Sequence, residues 1–195
     1  LLSVADSLNA ASLAGKVELA TVMNAAPKFI QAEDREVVTT PMGVLSYIRR
    51  HVIADELIPQ LEAFSRNLYQ QRLQSIGYGT EPQADNTDDG KLLRQDLLRF
   101  LAFTAKEPQV RSRLFEWGKS YLGIGSDKKL NIKAVDSNLA EISLAVAIQQ
   151  GDIQILETAI THLKTATDPI IRGQLLRGIS YANSSEKSTR VLKLV

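Results

Sequence analysis

The chain has 195 residues, of which 44% are hydrophobic and 23% are charged, a composition that is ordinary for a globular protein with a buried core. The formal net charge is +1, and basic and acidic residues alternate along the chain, so no extended basic surface is expected to attract a nucleic acid. Cysteine is absent, which excludes disulfides, thiolate metal sites and a thiol nucleophile.

Helical periodicity recurs along the chain, because apolar residues repeat at spacings of three and four. In chain order, the stripes and turn residues predict ten helices, near 2–14, 18–31, 35–52, 55–75, 90–105, 108–122, 137–150, 152–164, 168–182 and 185–195. Pro27 lies inside the second stripe and is expected to kink or break that helix. Gly15 and Gly151 are expected to end their helices in the left-handed conformation. Asp152 and Asp168 are expected to cap the helices that follow them.

The fold class follows from these stripes, since each apolar face needs a neighbouring helix to cover it. Two longer connections, 77–90 and 123–136, are predicted as loops, and the other connections are short, which favours antiparallel helix pairs. The pairs differ in length and share no signature. We therefore predict an all-α protein that forms an irregular α-solenoid, or superhelix, of about ten paired helices. It is expected to be one domain over 1–195, with a possible subdivision near 77–90.

The sequence contains neither an expected membrane span nor a secretion signal. The most apolar stretch, 139–148, is too short and too interrupted to cross a bilayer, and no charged segment followed by an apolar one opens the chain. The compartment stays open between the cytoplasm and export, for example to a periplasm. Because Leu1 lies inside an expected helix and Val195 ends one without a cap, we expect a piece of a longer protein.

Motifs that would carry catalysis are not recognisable in the sequence. His51 and His162 are far apart, and neither begins the H-E-x-x-H pattern that would place two imidazoles on one zinc ion, so structural or surface roles are expected. The GYG at 77–79 and the GIG at 123–125 follow predicted helices rather than strands, and we interpret both as plain loops rather than phosphate-binding loops.

Three further patterns have simple explanations. Ser126 with Lys129, and the 184–187 segment, match S-x-x-K but lack the companion motifs of a serine nucleophile. The sequon at 183–185 matters only in a eukaryotic secretory setting. Asp85, Asp88 and Asp89 lack the spacing of a calcium loop and predict a solvated acidic loop. We therefore expect no catalytic, cofactor-binding or metal-binding residue in this chain.

Several segments form an ordered pattern along nearly the whole chain. Segment 1–15 has an acidic residue near its start, small residues and a terminal glycine. Segment 36–42 contains a glutamate and then a proline, and Met42 stands where a tryptophan is usual. Segments 93–98, 110–121, 138–150 and 171–194 follow as amphipathic or apolar helices. Together these segments resemble the C-terminal helical domain of aminopeptidase N-type (gluzincin) zinc aminopeptidases, which include the puromycin-sensitive and endoplasmic-reticulum aminopeptidases.

The resemblance implies a HEAT-like superhelix that lies over a peptidase domain and closes a chamber around the active site. It implies zinc in an upstream catalytic domain that these 195 residues do not contain, and no cofactor in this chain. The implied partners are that upstream peptidase domain of the same chain and the peptide substrate, with no nucleic acid and no membrane insertion. The function implied is that of a non-catalytic domain that helps to hold the peptide.

Two questions stay open at this point. Arg94, Arg99, Arg172 and Arg177 would suit the carboxylate at the peptide's C-terminus, but a surface or ion-pair role is favoured for each, and none is assigned to a site. The alternative to an aminopeptidase domain is a free-standing α-solenoid scaffold for protein–protein interaction. A self-contained enzyme is the third and least favoured interpretation.

Overall fold

The computed structural model describes residues 2–194, and all regular secondary structure within that range is helical. Two compact units are present, Leu1–Glu107 and Pro108–Val195. The first contains α1 (Leu2–Leu13), α2 (Leu19–Ile30), α3 (Arg35–His51), a short 3-10 helix (Asp55–Leu57), α4 (Ile58–Ile76) and α5 (Asp88–Phe103). The second contains α6 (Pro108–Tyr121), α7 (Ser137–Gln150), α8 (Ile153–Thr165), α9 (Pro169–Ile179) and α10 (Ser185–Leu192).

The predicted all-α class is confirmed, and each predicted helix has a counterpart within residues 2–194. The predicted ends at Leu1 and Val195 lie outside the described residues. The 77–90 connection lies inside the first unit, between α4 and α5, whereas the two units meet in sequence at Glu107 and Pro108. The superhelical arrangement and the single domain over 1–195 stay predictions.

Helix α3 is the central helix of the first unit and contacts α1, α2, α4 and α5. Tyr69 of α4 is fully buried, and its hydroxyl donates a hydrogen bond of 2.9 Å to the carbonyl of Val38 in α3. Its ring packs edge-to-face on Phe100 of α5 at 4.9 Å between centroids. Burial raises the pKa of Tyr69, so the hydroxyl remains a donor. This contact ties three helices together through one side chain.

Of the kink or break predicted at Pro27, the break is wrong, because α2 continues through Pro27 to Ile30, and the kink stays a prediction. Proline lacks the amide that would donate to the carbonyl of Met23, four residues earlier, and its ring crowds that carbonyl, so the continuous helix needs other stabilisation. Val22, Ala26 and Phe29 are buried on either side of this position. Their packing outweighs the lost hydrogen bond, since tertiary burial commonly overrides local helix propensity.

Helix α7 is the central helix of the second unit, and all of its residues from 142 to 148 are buried. It contacts α6, α8 and α9. A Cβ on Gly118 of α6 would lie 2.7 Å from the Cβ of Ala147, and one on Gly178 of α9 would lie 2.7 Å from the Cβ of Leu144. Such distances are too short for real contacts, so glycine is what lets these two helices approach α7 closely.

The helix ends mostly follow the sequence prediction. Gly15 has φ +69°, as expected, and the carboxylates of Asp152 and Asp168 each accept two amide hydrogen bonds at the starts of α8 and α9. The left-handed conformation predicted for Gly151 is wrong, because its φ is −76° and its backbone is extended. Glycine is needed there for space instead, since a Cβ would collide with the side chain of Ile155.

Candidate functional site

The two histidines belong to different units, and each has a neighbour within its own unit. His51, in the first unit, lies beside Tyr47 with 5.0 Å between ring centroids. His162, in the second, has Nε2 3.0 Å from the carbonyl oxygen of Leu122. Within residues 2–194, no three His, Asp or Glu side chains converge as ligands for a metal ion.

The candidate arginines have partners within the protein. Arg94 is buried and donates to the carbonyls of Gly77 at 3.0 Å, Ile76 at 3.3 Å and Asp85. Arg172 donates to the last carbonyls of α8, Arg177 pairs with Glu141 at 2.5 Å, and Arg99 also contacts a neighbour. Arg177 has the ion pair and Arg172 the surface position that the sequence favoured, whereas Arg94 has a different role, since it is buried and holds backbone carbonyls.

The acidic connection between α4 and α5 uses its polar groups internally. The carboxylate of Asp85 accepts hydrogen bonds from the hydroxyl of Thr87 at 2.7 Å and from its amide at 3.0 Å. These two bonds lower the pKa of Asp85. Gly77 and Gly79 adopt positive φ angles of 68° and 93°, and the guanidinium of Arg94 packs against Gly79. The GYG segment is therefore a turn built around Arg94.

A groove of about 580 Å³ opens in the second unit and is the strongest candidate for a binding site. We call it the α6–α8 groove, because the end of α6, the connection that follows it and the start of α8 form its walls. Its lining residues are Phe115, Lys119, Leu122, Gly123, Ile124, Gly125, Ser126, Lys128, Gly151, Asp152, Gln154, Ile155 and Thr158. Concave apolar surfaces with a few polar groups are typical of ligand sites.

The GIG segment forms one wall of this groove because its glycines allow a tight turn. Gly123 and Gly125 have positive φ angles of 71° and 90°. The amide of Gly123 donates to the Ser120 carbonyl at 3.1 Å, and the amide of Ile124 donates to the Lys119 carbonyl at 2.9 Å. This pattern ends α6 in a Schellman motif. A Cβ on Gly123 would also collide with the backbone of Lys129, so glycine is required there.

The carbonyl groups around the α6–α8 groove already have donors. The carbonyl of Tyr121 accepts the amide of Asn131 at 2.8 Å, and that of Leu122 lies 3.0 Å from the ring of His162. At the end of α7, the buried ammonium of Lys187 donates to the carbonyls of Ile148 and Gly151, both at 2.6 Å. The terminal carbonyls of α6 and α7 beside the groove thus have hydrogen-bond donors, and at α7 the donor also brings a positive charge to the negative end of the helix dipole.

Both S-x-x-K matches have local structural roles. The hydroxyl of Ser126 donates to the Gly123 carbonyl at 3.1 Å and so stabilises the turn. The hydroxyl of Ser184 accepts the amide of Lys187 at 3.2 Å and caps α10. Each serine is therefore engaged with the backbone of its own segment.

Two lysines supply the positive charge of the α6–α8 groove. Lys119 pairs with Glu116 at 3.2 Å, and its ammonium lies 5.2 Å from the centroid of the Phe115 ring. Lys128 is exposed, and within residues 2–194 its side chain has no hydrogen bond or ion pair. The carboxylate of Asp152 is occupied by the amides of Gln154 and Ile155, at 3.0 Å and 3.2 Å. The groove thus combines apolar walls with cations that are available to a ligand.

Sequence reasoning missed this groove. It interpreted the 123–125 glycines as a plain loop, and it considered arginines rather than lysines as partners for a carboxylate. A usable signal was the concentration of lysine from the last turn of α6 onwards, at positions 119, 128, 129 and 133. The first unit also has an apolar pocket of about 390 Å³ beside Met23, Val52 and Leu57, but no charged side chain lines it.

Comparison with known proteins gives one match. A family model described as the ERAP1-like C-terminal domain matches residues 2–195. No match is found among curated proteins or among solved structures. In residues 2–194 no helix has the length and apolar character needed to cross a membrane.

Proposed function

The chain belongs to the ERAP1-like C-terminal domain family and is therefore part of an aminopeptidase, and we propose that it forms the enzyme's non-catalytic C-terminal domain. The family match over residues 2–195 is the observation that carries this proposal. Under this proposal, zinc and the catalytic residues belong to an upstream peptidase domain, which is the main partner of this chain. The helical domain closes the chamber around the active site and holds the part of the peptide that lies beyond the cleaved bond.

The α6–α8 groove is the surface that we assign to peptide holding. Leu122 and Ile155 are buried beneath it, and Phe115 and Ile124 are half-buried in its walls, so an apolar peptide side chain can be removed from water there. Lys119 and Lys128 can meet a carboxylate of the peptide, including the one at its C-terminus. We assign these lysines, rather than any of the four arginines, to the carboxylate of the peptide.

Holding by a distal surface has a distinct kinetic signature. A substrate too short to reach the groove gains nothing from it, whereas a long peptide gains binding energy there. In the full-length enzyme, we expect Lys119→Ala with Lys128→Ala to lower kcat/KM for a peptide of about ten residues by roughly three- to tenfold, since an exposed ion pair contributes at most about 1 kcal/mol. Hydrolysis of a single-residue arylamide is expected to stay unchanged. A zinc chelator is expected to abolish both activities.

The matched control is Lys28→Ala, because Lys28 is also exposed but does not line the groove. Equal losses on the arylamide and on the long peptide would contradict peptide holding by the groove. Activity that survives the chelator would contradict a zinc peptidase. If a well-folded, zinc-supplied full-length protein hydrolysed neither substrate, the scaffold interpretation would take precedence, and a search for protein partners would follow.

A further inference from the structure

The segment that borders the α6–α8 groove carries a local excess of positive charge that the whole chain does not have. Between positions 119 and 133 there are four lysines and one aspartate, whereas the whole chain has a net charge of +1. The aspartate, Asp127, lies 4.0 Å from Lys129, and both side chains are largely exposed. Asp127 subtracts one charge from the four lysines, which leaves the segment with a net charge of +3.

One helix presents its positive end to the groove, and Asp152, the N-cap of that helix, places one carboxylate there as well. The first turn of α8 lies in the groove wall at Gln154 and Ile155, where a helix presents the positive end of its dipole. The terminal carbonyls of α6 and α7 have hydrogen-bond donors, because α6 closes in a Schellman motif and Lys187 donates to the Gly151 carbonyl. Among the lining residues, the two lysines Lys119 and Lys128 outnumber the one carboxylate, Asp152, so the groove has a net positive charge above an apolar floor.

We propose that the α6–α8 groove selects peptides that carry an acidic side chain next to an apolar one. This inference rests on the peptide-holding function proposed above. The apolar side chain packs on Phe115, Ile124 and Ile155, and the carboxylate of its neighbour meets Lys128 at the rim, with Lys119 as a second cation. Lys128 is the main determinant of charge selection, since it has no partner of its own within residues 2–194. A peptide with a basic residue in this place is repelled.

The test uses the full-length enzyme and three peptides of about ten residues that share an N-terminal leucine and an amidated C-terminus. Each peptide contains one distal pair, Leu-Glu, Leu-Gln or Leu-Lys, which is moved stepwise from the middle towards the end of the peptide. Amidation removes the terminal carboxylate, so that only the side chain differs. At the best position, we expect kcat/KM for the glutamate peptide to exceed that for the lysine peptide by about fivefold, mostly through KM, and less in high salt.

Charge reversal provides the decisive comparison. Lys128→Glu is expected to invert the order of the glutamate and lysine peptides, while Lys28→Glu, an equally exposed change outside the groove, leaves the order unchanged. A change that only damaged the fold would lower the turnover of all three peptides together. That uniform loss, with arylamide hydrolysis intact, would overturn the charge selection and leave the peptide-holding function standing. If Lys128→Glu affected no peptide, or affected the arylamide equally, both proposals would fail.

Discussion

The buried ammonium of Lys187 is the strongest test of how the second unit holds together. Lys187 belongs to α10 and is 6% exposed, and its Nζ donates to the carbonyls of Ile148 and Gly151 at 2.6 Å each and to that of Gln149 at 3.4 Å. These are orphan carbonyls of a helix end, which have no intrahelical partner. One side chain therefore closes α7 and fixes α10 to it.

The effect of Lys187→Met can be worked out from these contacts. Methionine is similarly long and apolar, so it removes the desolvation cost of the ammonium while keeping most of the packing. It leaves the carbonyls of Ile148 and Gly151 without this donor, at about 1–3 kcal/mol each for a buried group. It also removes a cation from a helix C-terminus, which contributes about 0.3–2 kcal/mol. Because the relieved desolvation offsets part of this loss, we expect the unfolding free energy to fall by about 2–4 kcal/mol.

The assay is urea unfolding of the 195-residue chain, followed by the fluorescence of Trp117. This residue is the chain's one tryptophan and lies on α6, in the same unit as Lys187. Lys193→Met is the control, because Lys193 is exposed and a surface change of this kind stays within about 0.5 kcal/mol. A loss below about 1 kcal/mol for Lys187→Met, or one equal to that of the control, would refute the account of Lys187 as a helix cap.

Two further predictions concern packing and pH. Gly118→Ala should destabilise the second unit by roughly 1–3 kcal/mol, because the new methyl group collides with α7. Gly43→Ala, in α3 with open space where the new Cβ would lie, should instead stabilise the first unit by about 0.5–1 kcal/mol in urea unfolding followed by far-UV circular dichroism, which reports on the helices of both units; the same sign at both sites would contradict the close-packing argument. Tyr121→Phe should lose about 1–2 kcal/mol at neutral pH, because the side-chain oxygen of Gln174 loses its donor at 2.7 Å. Burial raises the pKa of Tyr121 in the folded protein above the ordinary tyrosine value of about 10. The unfolding free energy should therefore decline as the pH rises above about 10, because the unfolded chain loses this proton first. The decline should be less steep in Tyr121→Phe, which lacks the group, than in the exposed control Tyr47→Phe. Equal slopes of unfolding free energy against pH in the two variants would contradict this.

Local features of the fold could be predicted from the sequence because local interactions determine them. The three- and four-residue spacing of apolar residues located each helix, and Asp152 and Asp168 cap α8 and α9 through amides only two and three residues away. Gly15 takes a positive φ for a reason that is equally local. The error at Gly151 has a different origin, since glycine is needed there for space beside the Ala147 carbonyl and the Ile155 side chain and not for a positive φ.

The parts that could not be predicted depend on partners far apart in the sequence. Lys187 and the Ile148 carbonyl are 39 residues apart, and Arg94 reaches carbonyls 9 to 18 residues away. In the sequence, each of these cations looks like an ordinary surface residue on a helix. The α6–α8 groove was missed for the same reason, because its walls come from segments that only the close approach of α6 to α7 brings together. Nothing in the spacing of Lys119 and Lys128 reveals the apolar floor between them.

The packing of α7 and the charge of the groove are linked through Lys187. Gly118 and Gly178 let neighbouring helices come so close to α7 that its core residues are sealed from water. At the end of α7, the buried ammonium of Lys187 supplies a donor to the terminal carbonyls. The same ammonium removes the negative end of α7 from the neighbourhood of Gly151, which lines the groove. The positive character that we assign to the groove therefore has two sources, the exposed lysines in its lining and the buried Lys187 that caps the end of α7.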